Sequence, residues 1–315
     1  MADIPVLDFD EYQARLLALP RPGADKVLAF YEHRVGAICK DVRLMLLPLD
    51  DHLLHRGDGV FESLKYVGRK LYQLDAHLER MRKSTAAISL TPPCSWEEIR
   101  ETVVAVATAG GADNGMLRIL LGRGPGGFAI DPFESSRASL YVVAYRFTPK
   151  PDGYFEKGVT AFRAETPAKQ SWLAKIKSVN YLPNVLMKME AVRKGYDYPL
   201  CYDEHGFLAE GATENVALVD QTGTLVVPEF THSLPGTTLL RALDLAKGEV
   251  PVSFRGVTEA DVYGAREVLI LGTTGDCIPV VRYEGKPIHD VRPGPVARRL
   301  RELLMRDLEE NGVRF

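Results

Sequence analysis

Two prolines and a glycine fall close together in Thr148-Pro149-Lys150-Pro151-Asp152-Gly153, and this stretch does most to limit how the chain can fold. Proline fixes its own φ and lacks an N–H, and glycine breaks regular structure, so neither a helix nor a strand runs comfortably through it. A β-rich run over 139–147 precedes the stretch and a different pattern follows it. The spacing therefore predicts a small α/β unit over 36–148 and a larger unit over 159–315. A linker over 149–158 joins them, and a helical extension covers 1–35.

Periodicity fills in the units. Phe9, Tyr12, Leu16, Leu17 and Leu19 recur at helical spacing up to Pro20-Arg21-Pro22-Gly23, and a second short helix is expected over 24–33. Residues 58–66 alternate as a strand does, and Gly68-Arg69 reads as a hairpin turn into 70–74. Asp75 is the expected N-cap of a helix carrying Leu78, Met81 and Ile88. A helix over 96–109 is stopped by Gly110-Gly111, and 117–121 is β-rich. Beyond the linker, strands are predicted at 159–163, 215–219, 224–227 and 267–271, and helices over 184–194, 237–246 and 296–311. Hairpins mix with helices without a regular βαβ alternation, which favours an α+β fold over a doubly wound parallel sheet.

A net charge of −3 with no basic stripe argues against nucleic acid as a partner. No apolar run approaches the roughly 20 residues of a membrane helix. Asp3, Asp8 and Asp10 near the start argue against a secretory leader. Cys39, Cys94, Cys201 and Cys277 are widely spread, which suits reduced thiols better than a disulfide framework or a metal site. The expected setting is cytoplasmic.

Two segments carry chemistry. Lys177 sits in Lys175-Ile176-Lys177-Ser178-Val179-Asn180-Tyr181, and a lysine at the mouth of a short polar turn suits a Schiff base with a carbonyl cofactor. To attack an aldehyde at neutral pH it must be partly neutral, which burial and nearby cations achieve. Lys175 and Lys169 are competitors for the role. Glu210, in Leu208-Ala209-Glu210-Gly211-Ala212-Thr213-Glu214-Asn215, is the kind of carboxylate that holds the pyridine nitrogen of pyridoxal phosphate protonated. Glu214 and Glu204 are alternatives, although Glu204 lies in a turn where carboxylates are normally solvated.

These runs, with Gly57-Asp58-Gly59-Val60-Phe61-Glu62, resemble the fold-type IV pyridoxal-phosphate enzymes: branched-chain and D-amino-acid aminotransferases and aminodeoxychorismate lyase. The resemblance runs from about Gly36 to the end of the sequence. It implies a two-domain α+β architecture with a pseudo-barrel large domain, a homodimer, and a transaminase acting on an amino acid and a 2-oxo acid. The branched-chain type leads. A lyase releasing pyruvate and a D-amino-acid or amine transaminase are the alternatives. The Lys-to-Asn spacing of the family (Lys177, Asn180) selects Lys177. His77-Leu78-Glu79-Arg80 matches its His-Leu-x-Arg pattern, which implies that Arg80 grips the cofactor phosphate. Thr237 and Thr238 of Leu234-Pro235-Gly236-Thr237-Thr238, and Thr273 and Thr274 of Gly272-Thr273-Thr274-Gly275, are the further phosphate ligands implied. Asn215 is implied as a supporting hydrogen-bonder, and Tyr181 as the partner of the ring hydroxyl.

Substrate residues are less defined. Met116-Leu117-Arg118 keeps the arginine of the branched-chain Tyr-x-Arg strand and loses its tyrosine. Gly124–Ala129 lacks the Arg-x-His of D-amino-acid enzymes, and Phe61 stands in place of their tyrosine. Lys65 and Arg56 stand where branched-chain enzymes carry arginine and tyrosine. Arg56, Arg118 and Arg123 are the candidate carboxylate binders, with Phe61 and Lys65 beside them.

Overall fold

In the computed structural model, which describes residues 2–315, Asp8 caps the first helix by accepting a 2.9 Å hydrogen bond from the Glu11 N–H. That helix, α1 (Phe9–Ala18), ends before the Pro20–Gly23 turn. The second predicted helix, over 24–33, is not there. A single 3-10 turn, Ala24–Lys26, leads into strand β1 (Val27–Glu32). The apolar run Val27-Leu28-Ala29-Phe30 suits either state, and pairing decides it: β1 lies antiparallel to β6 (Ser139–Tyr145), with Phe30 opposite Val143.

The first sheet holds β1, β2 (Ala37–Cys39), β3 (Gly59–Val67), β4 (Lys70–Leu71), β5 (Gly115–Gly122) and β6. Its last strand comes from the far end of the sequence: β16 (Val313–Arg314) closes the edge of β4, giving the order β16-β4-β3-β5-β6-β1-β2. Gly68 (φ +57) and Arg69 (φ +60) make the β3–β4 turn, and two successive left-handed residues give the twist a tight hairpin needs. Helix α2 (His52–His55) precedes β3, and α3 (Leu74–Ala87) and α4 (Trp96–Gly110) cover one face of the sheet. Ser95 and Glu98 form a capping box on α4, and Gly111 (φ +71) ends it. Asp75 is not the cap of α3. Gln73 (φ +55) takes that position, and Asp75 lies in the first turn, where it accepts from Arg100 Nε at 2.9 Å. Val60, Leu64, Leu117 and Ile119 pack with Met81 and Ile99 between sheet and helices. The alternate residues, Phe61, Ser63, Met116 and Arg118, face the other way, into a cavity.

The second sheet runs β12-β11-β10-β13-β14-β7-β8-β9, with a short β15 (Lys286–Pro287) on β14. Its strands are β7 (Val159–Arg163), β8 (Tyr198–Tyr202), β9 (Leu208–Gly211), β10 (Asn215–Val219), β11 (Leu225–Pro228), β12 (Val252–Arg255), β13 (Glu267–Gly272) and β14 (Asp276–Tyr283). Between them come α5 (Gly153–Glu156), α6 (Ser171–Ala174), α7 (Leu182–Lys194), α8 (Thr237–Leu245) and α9 (Glu259–Tyr263), with α10 (Pro295–Asn311) before β16. Ala217, Leu269 and Leu271 pack beneath α8 and α10 through Leu239, Leu300 and Leu304, while Val216, Leu218 and Ile270 pack on the opposite side. Both sheets are mainly antiparallel and carry segregated helices, so the α+β class expected from sequence holds. Among the described residues no helix is long and apolar enough to cross a membrane.

Candidate active site

Residues 177–179 run extended along β3, although they belong to the second half of the chain. The Phe61 N–H donates to the Lys177 carbonyl (2.9 Å) and the Val179 N–H to the Gly59 carbonyl (3.0 Å). The Lys177 N–H in turn donates to Ser84 Oγ of α3 (3.1 Å). Alternation sends Ile176 and Ser178 into packing and the Lys177 side chain into the cavity. Its amine is drawn down to about 8, foremost by burial and then by Arg80. Roughly a tenth is neutral at pH 7, far more than for a solvated lysine. Nζ donates to Tyr181 Oη at 3.2 Å. Lys175 caps α6 and faces solvent.

Glu210, in β9, meets the same cavity from the other sheet. Burial pushes its carboxyl up to about 7, against the opposing effects of the Leu234 N–H, Lys169 and Lys177. The Leu234 N–H donates to Glu210 Oε2 at 3.0 Å, and Asn215 Nδ2 donates to the Leu234 carbonyl at 2.7 Å. Leu234 is thus held at both its N–H and its carbonyl. Glu214 also lines the cavity but accepts from the Thr213 N–H and hydroxyl (2.9 and 2.6 Å). Glu204 is exposed, with Oε2 3.5 Å from His232 Nε2.

The cavity, about 230 Å³, is also lined by Arg80, the first turn of α8 at Thr237 and Thr238, and the Gly272–Thr274 turn. Gly236 precedes α8 with no side-chain cap on the helix, so its leading N–H groups and positive end face the cavity. Arg80 is oriented by Glu62, which accepts from Nε and Nη2 at 2.7 Å each. Desolvation would raise the Glu62 carboxyl, but the charge of Arg80 and the hydrogen bonds accepted from Arg80 and His77 bring it down to about 2.

Arg118 lies in the cavity with its guanidinium 4.8 Å from the Phe61 ring, and its buried Nε has no hydrogen-bond partner. The other candidate substrate cations are placed elsewhere. Arg56 donates to the carbonyls of Phe128 and Ala129. Lys65 is buried in an ion pair with Asp276, at the mouth of the β13–β14 turn. Arg123 holds Asp58 (2.8 and 3.0 Å) and the carbonyls of Ile88 and Ser89. Each is taken up by an anion or carbonyl of its own chain.

The model of the amino-transferase class IV family matches residues 59–283. The chain belongs to that family. It is similar to the chloroplastic D-amino-acid transaminase of Arabidopsis thaliana, at 36% identity over 97% of this chain and 83% of the relative. The T.th. branched-chain amino acid aminotransferase, solved with N-(5'-phosphopyridoxyl)-L-glutamate, superimposes with a TM-score of 0.84 at 27% identity, covering 90% of this chain and 95% of that one. The 4-amino-4-deoxychorismate lyase of Pseudomonas aeruginosa aligns with a TM-score of 0.75 at 26% identity over 84% and 96% of the two chains. The expectation of an aminotransferase working with pyridoxal phosphate stands with the family.

The cavity fits that cofactor by its own chemistry. A buried carboxyl held near neutrality calls for a cation such as a protonated pyridine nitrogen, and the lining offers a guanidinium and a helix N-terminus to an anion. Sequence reasoning had assigned no role to Glu62 or His77, although Glu62 was a signal. It shares a strand face with Val60 and Leu64, where a carboxylate needs a buried partner. Lys169, weighed only as a rival to Lys177, lies with its ammonium 4.4 Å from the Tyr181 ring centroid.

Proposed function

We propose that this chain is a pyridoxal-phosphate transaminase that moves an amino group between an amino acid and a 2-oxo acid, in the manner of the branched-chain enzymes. The observation that supports it most is the approach of Lys177 and Glu210 to one cavity from two different sheets. Arg80, the Thr237-Thr238 turn and the Thr273-Thr274 turn would hold the cofactor phosphate, Glu210 its ring nitrogen, and Lys177 Nζ its aldehyde carbon as a Schiff base. The bound cofactor supplies an aldehyde to take the amino group and a ring to accept electrons released at the substrate's α-carbon.

The chain's own residues do the rest. Lys177 Nζ, once the substrate's amine has displaced it from the aldehyde carbon, would take the α-proton as a base and give it back as an acid, and its lowered basicity suits it to that exchange. Tyr181 Oη accepts from that amine and fixes where it points. Asn215 and Glu210, gripping the Leu234 carbonyl and N–H, keep the turn into α8 in place. Arg118, a half-buried cation whose buried Nε is unpartnered, is the carboxylate binder of the substrate. The division into units over 36–148 and 159–315, the homodimer and the cytoplasmic setting belong to the same reading, with β1 and β16 added to the smaller unit.

A D-amino-acid substrate is the second reading, supported by the 36% identity to the plant D-amino-acid transaminase. Pyridoxal-phosphate-loaded protein mixed with single L- and D-amino acids, without acceptor, separates the readings. A transaminase stops after one turnover with the cofactor in its pyridoxamine form, and the enantiomer consumed assigns the hand. Continuous release of pyruvate from an aminodeoxychorismate-type substrate would instead mark a lyase. Light scattering against the 34.9 kDa chain mass tests the dimer.

A further inference from the structure

His77 of α3, buried at 2% exposure, stands between β3 and the first turn of α8. Its Nδ1 lies 2.7 Å from Glu62 Oε2, and its Nε2 lies 3.3 Å from Thr237 Oγ1. Two groups meet Nδ1, the acceptor-only Glu62 carboxylate at 2.7 Å and the donor-only Arg80 Nη2 at 3.4 Å, and the far shorter Glu62 contact requires a proton on Nδ1, since two lone pairs would not approach so closely. A second proton on the ring is disfavoured. Arg80 already neutralises Glu62 through two bonds, and Arg80 and Lys177 are the other charges facing the ring. A neutral ring with its proton on Nδ1 leaves Nε2 as an acceptor. The partner within reach is the Thr237 hydroxyl, which then donates its single proton to His77. We infer that His77, set by Glu62, turns the Thr237 hydroxyl away from the cavity, so that Thr237 serves an anion through its backbone N–H alone. The same chain of bonds ties the first turn of α8 to Arg80 across the sheets, which makes His77 a positioning residue for both halves of the anion grip. This rests on reading the cavity as the cofactor site.

Two measurements test it. In protein labelled with ¹⁵N at its seven histidines, the His77 ring, assigned by its loss in His77→Gln or its shift in Thr237→Val, should be neutral and protonated on Nδ1 at pH 7. An imidazolium or an Nε2–H tautomer overturns the inference, because Thr237 would then be free to donate elsewhere. This readout needs no cofactor. In cofactor titrations, Thr237→Val and His77→Gln should each weaken pyridoxal phosphate binding about fivefold, as loss of one buried hydrogen bond predicts. The double variant should be no weaker than the worse single one, and Thr237→Ser should bind as the parent does. Penalties that multiply would place the Thr237 hydroxyl on the cofactor and overturn the inference. A parent protein that binds no pyridoxal phosphate defeats the functional reading instead, and leaves the tautomer result to stand or fall separately.

Discussion

Lys177 Nζ donates to Tyr181 Oη at 3.2 Å, and the Tyr181 ring meets Phe61 edge-on with centroids 4.8 Å apart. The amine is therefore buried and aimed at once. Lys177→Ala removes both the covalent anchor and the proton carrier, and turnover should fall by at least about a thousandfold. Borohydride treatment should no longer fix cofactor to the chain. Lys175→Ala, altering a solvent-facing side chain, should behave as the parent; the opposite pattern would mean the wrong lysine has been chosen.

Glu210→Gln should keep the cofactor and slow the proton-transfer step, since an amide cannot hold a pyridine nitrogen protonated as an ion does. The same variant has a signature in melts of the cofactor-free protein. Folded Glu210 titrates near 7 instead of its ordinary 4.5. Between those values the folded chain keeps a proton the unfolded chain has lost. Its contribution is complete below pH 4.5 and disappears as pH rises through 7. Over that window Glu210→Gln should gain on the parent by about 3 kcal/mol. Parallel stability curves would show that the carboxyl is not raised.

Gly236→Ala should disturb the turn into α8. A Cβ there would lie 1.9 Å from Asn215 Oδ1, the side chain that holds the Leu234 carbonyl. Relief of such an overlap costs about 1–3 kcal/mol, felt as lower melting temperature and weaker cofactor binding. Combining it with Asn215→Ala should restore part of the stability and none of the affinity; full additivity of the two losses would sink the steric account.

Arg118→Gln should raise KM for the amino donor by roughly ten- to a hundredfold, as loss of a charged hydrogen bond predicts, with a smaller change in kcat. An unchanged KM in steady-state assays would take Arg118 out of the substrate pocket.

The sequence was most legible where one residue's chemistry is decided locally. The turn at Gly68-Arg69, the Trp96 helix and the strand around Phe61 follow from φ preferences, capping and alternation, and all are present. Val27–Glu32 was misread because its apolar run fits either periodicity until β6 lies beside it. The same limit governs the cavity. Lys177 and Glu210 carry signals in their own segments, but the engagement of Lys65 with Asp276, and of Arg123 with Asp58, comes from residues 211 and 65 positions away. No local pattern tells a free cation from a paired one at such separations. Nothing in the residues around Asp276 hints that it faces Lys65.

The pairing of residues 177–179 with β3 has a mechanical side. The backbone anchors of residues 177–179, at Gly59, Phe61 and Ser84, all belong to the first sheet and its helix, whereas Glu210 and Leu234 ride on the second. A ligand gripped by both acts as a tie-bar between two leaves. Of the segments that cross between the leaves, residues 164–176 join β7 to the lysine and so lie next to what the ligand holds. Hydrogen exchange in that connecting stretch should therefore quicken when the cofactor leaves, while β3 and β10, each inside its own leaf, keep their protection.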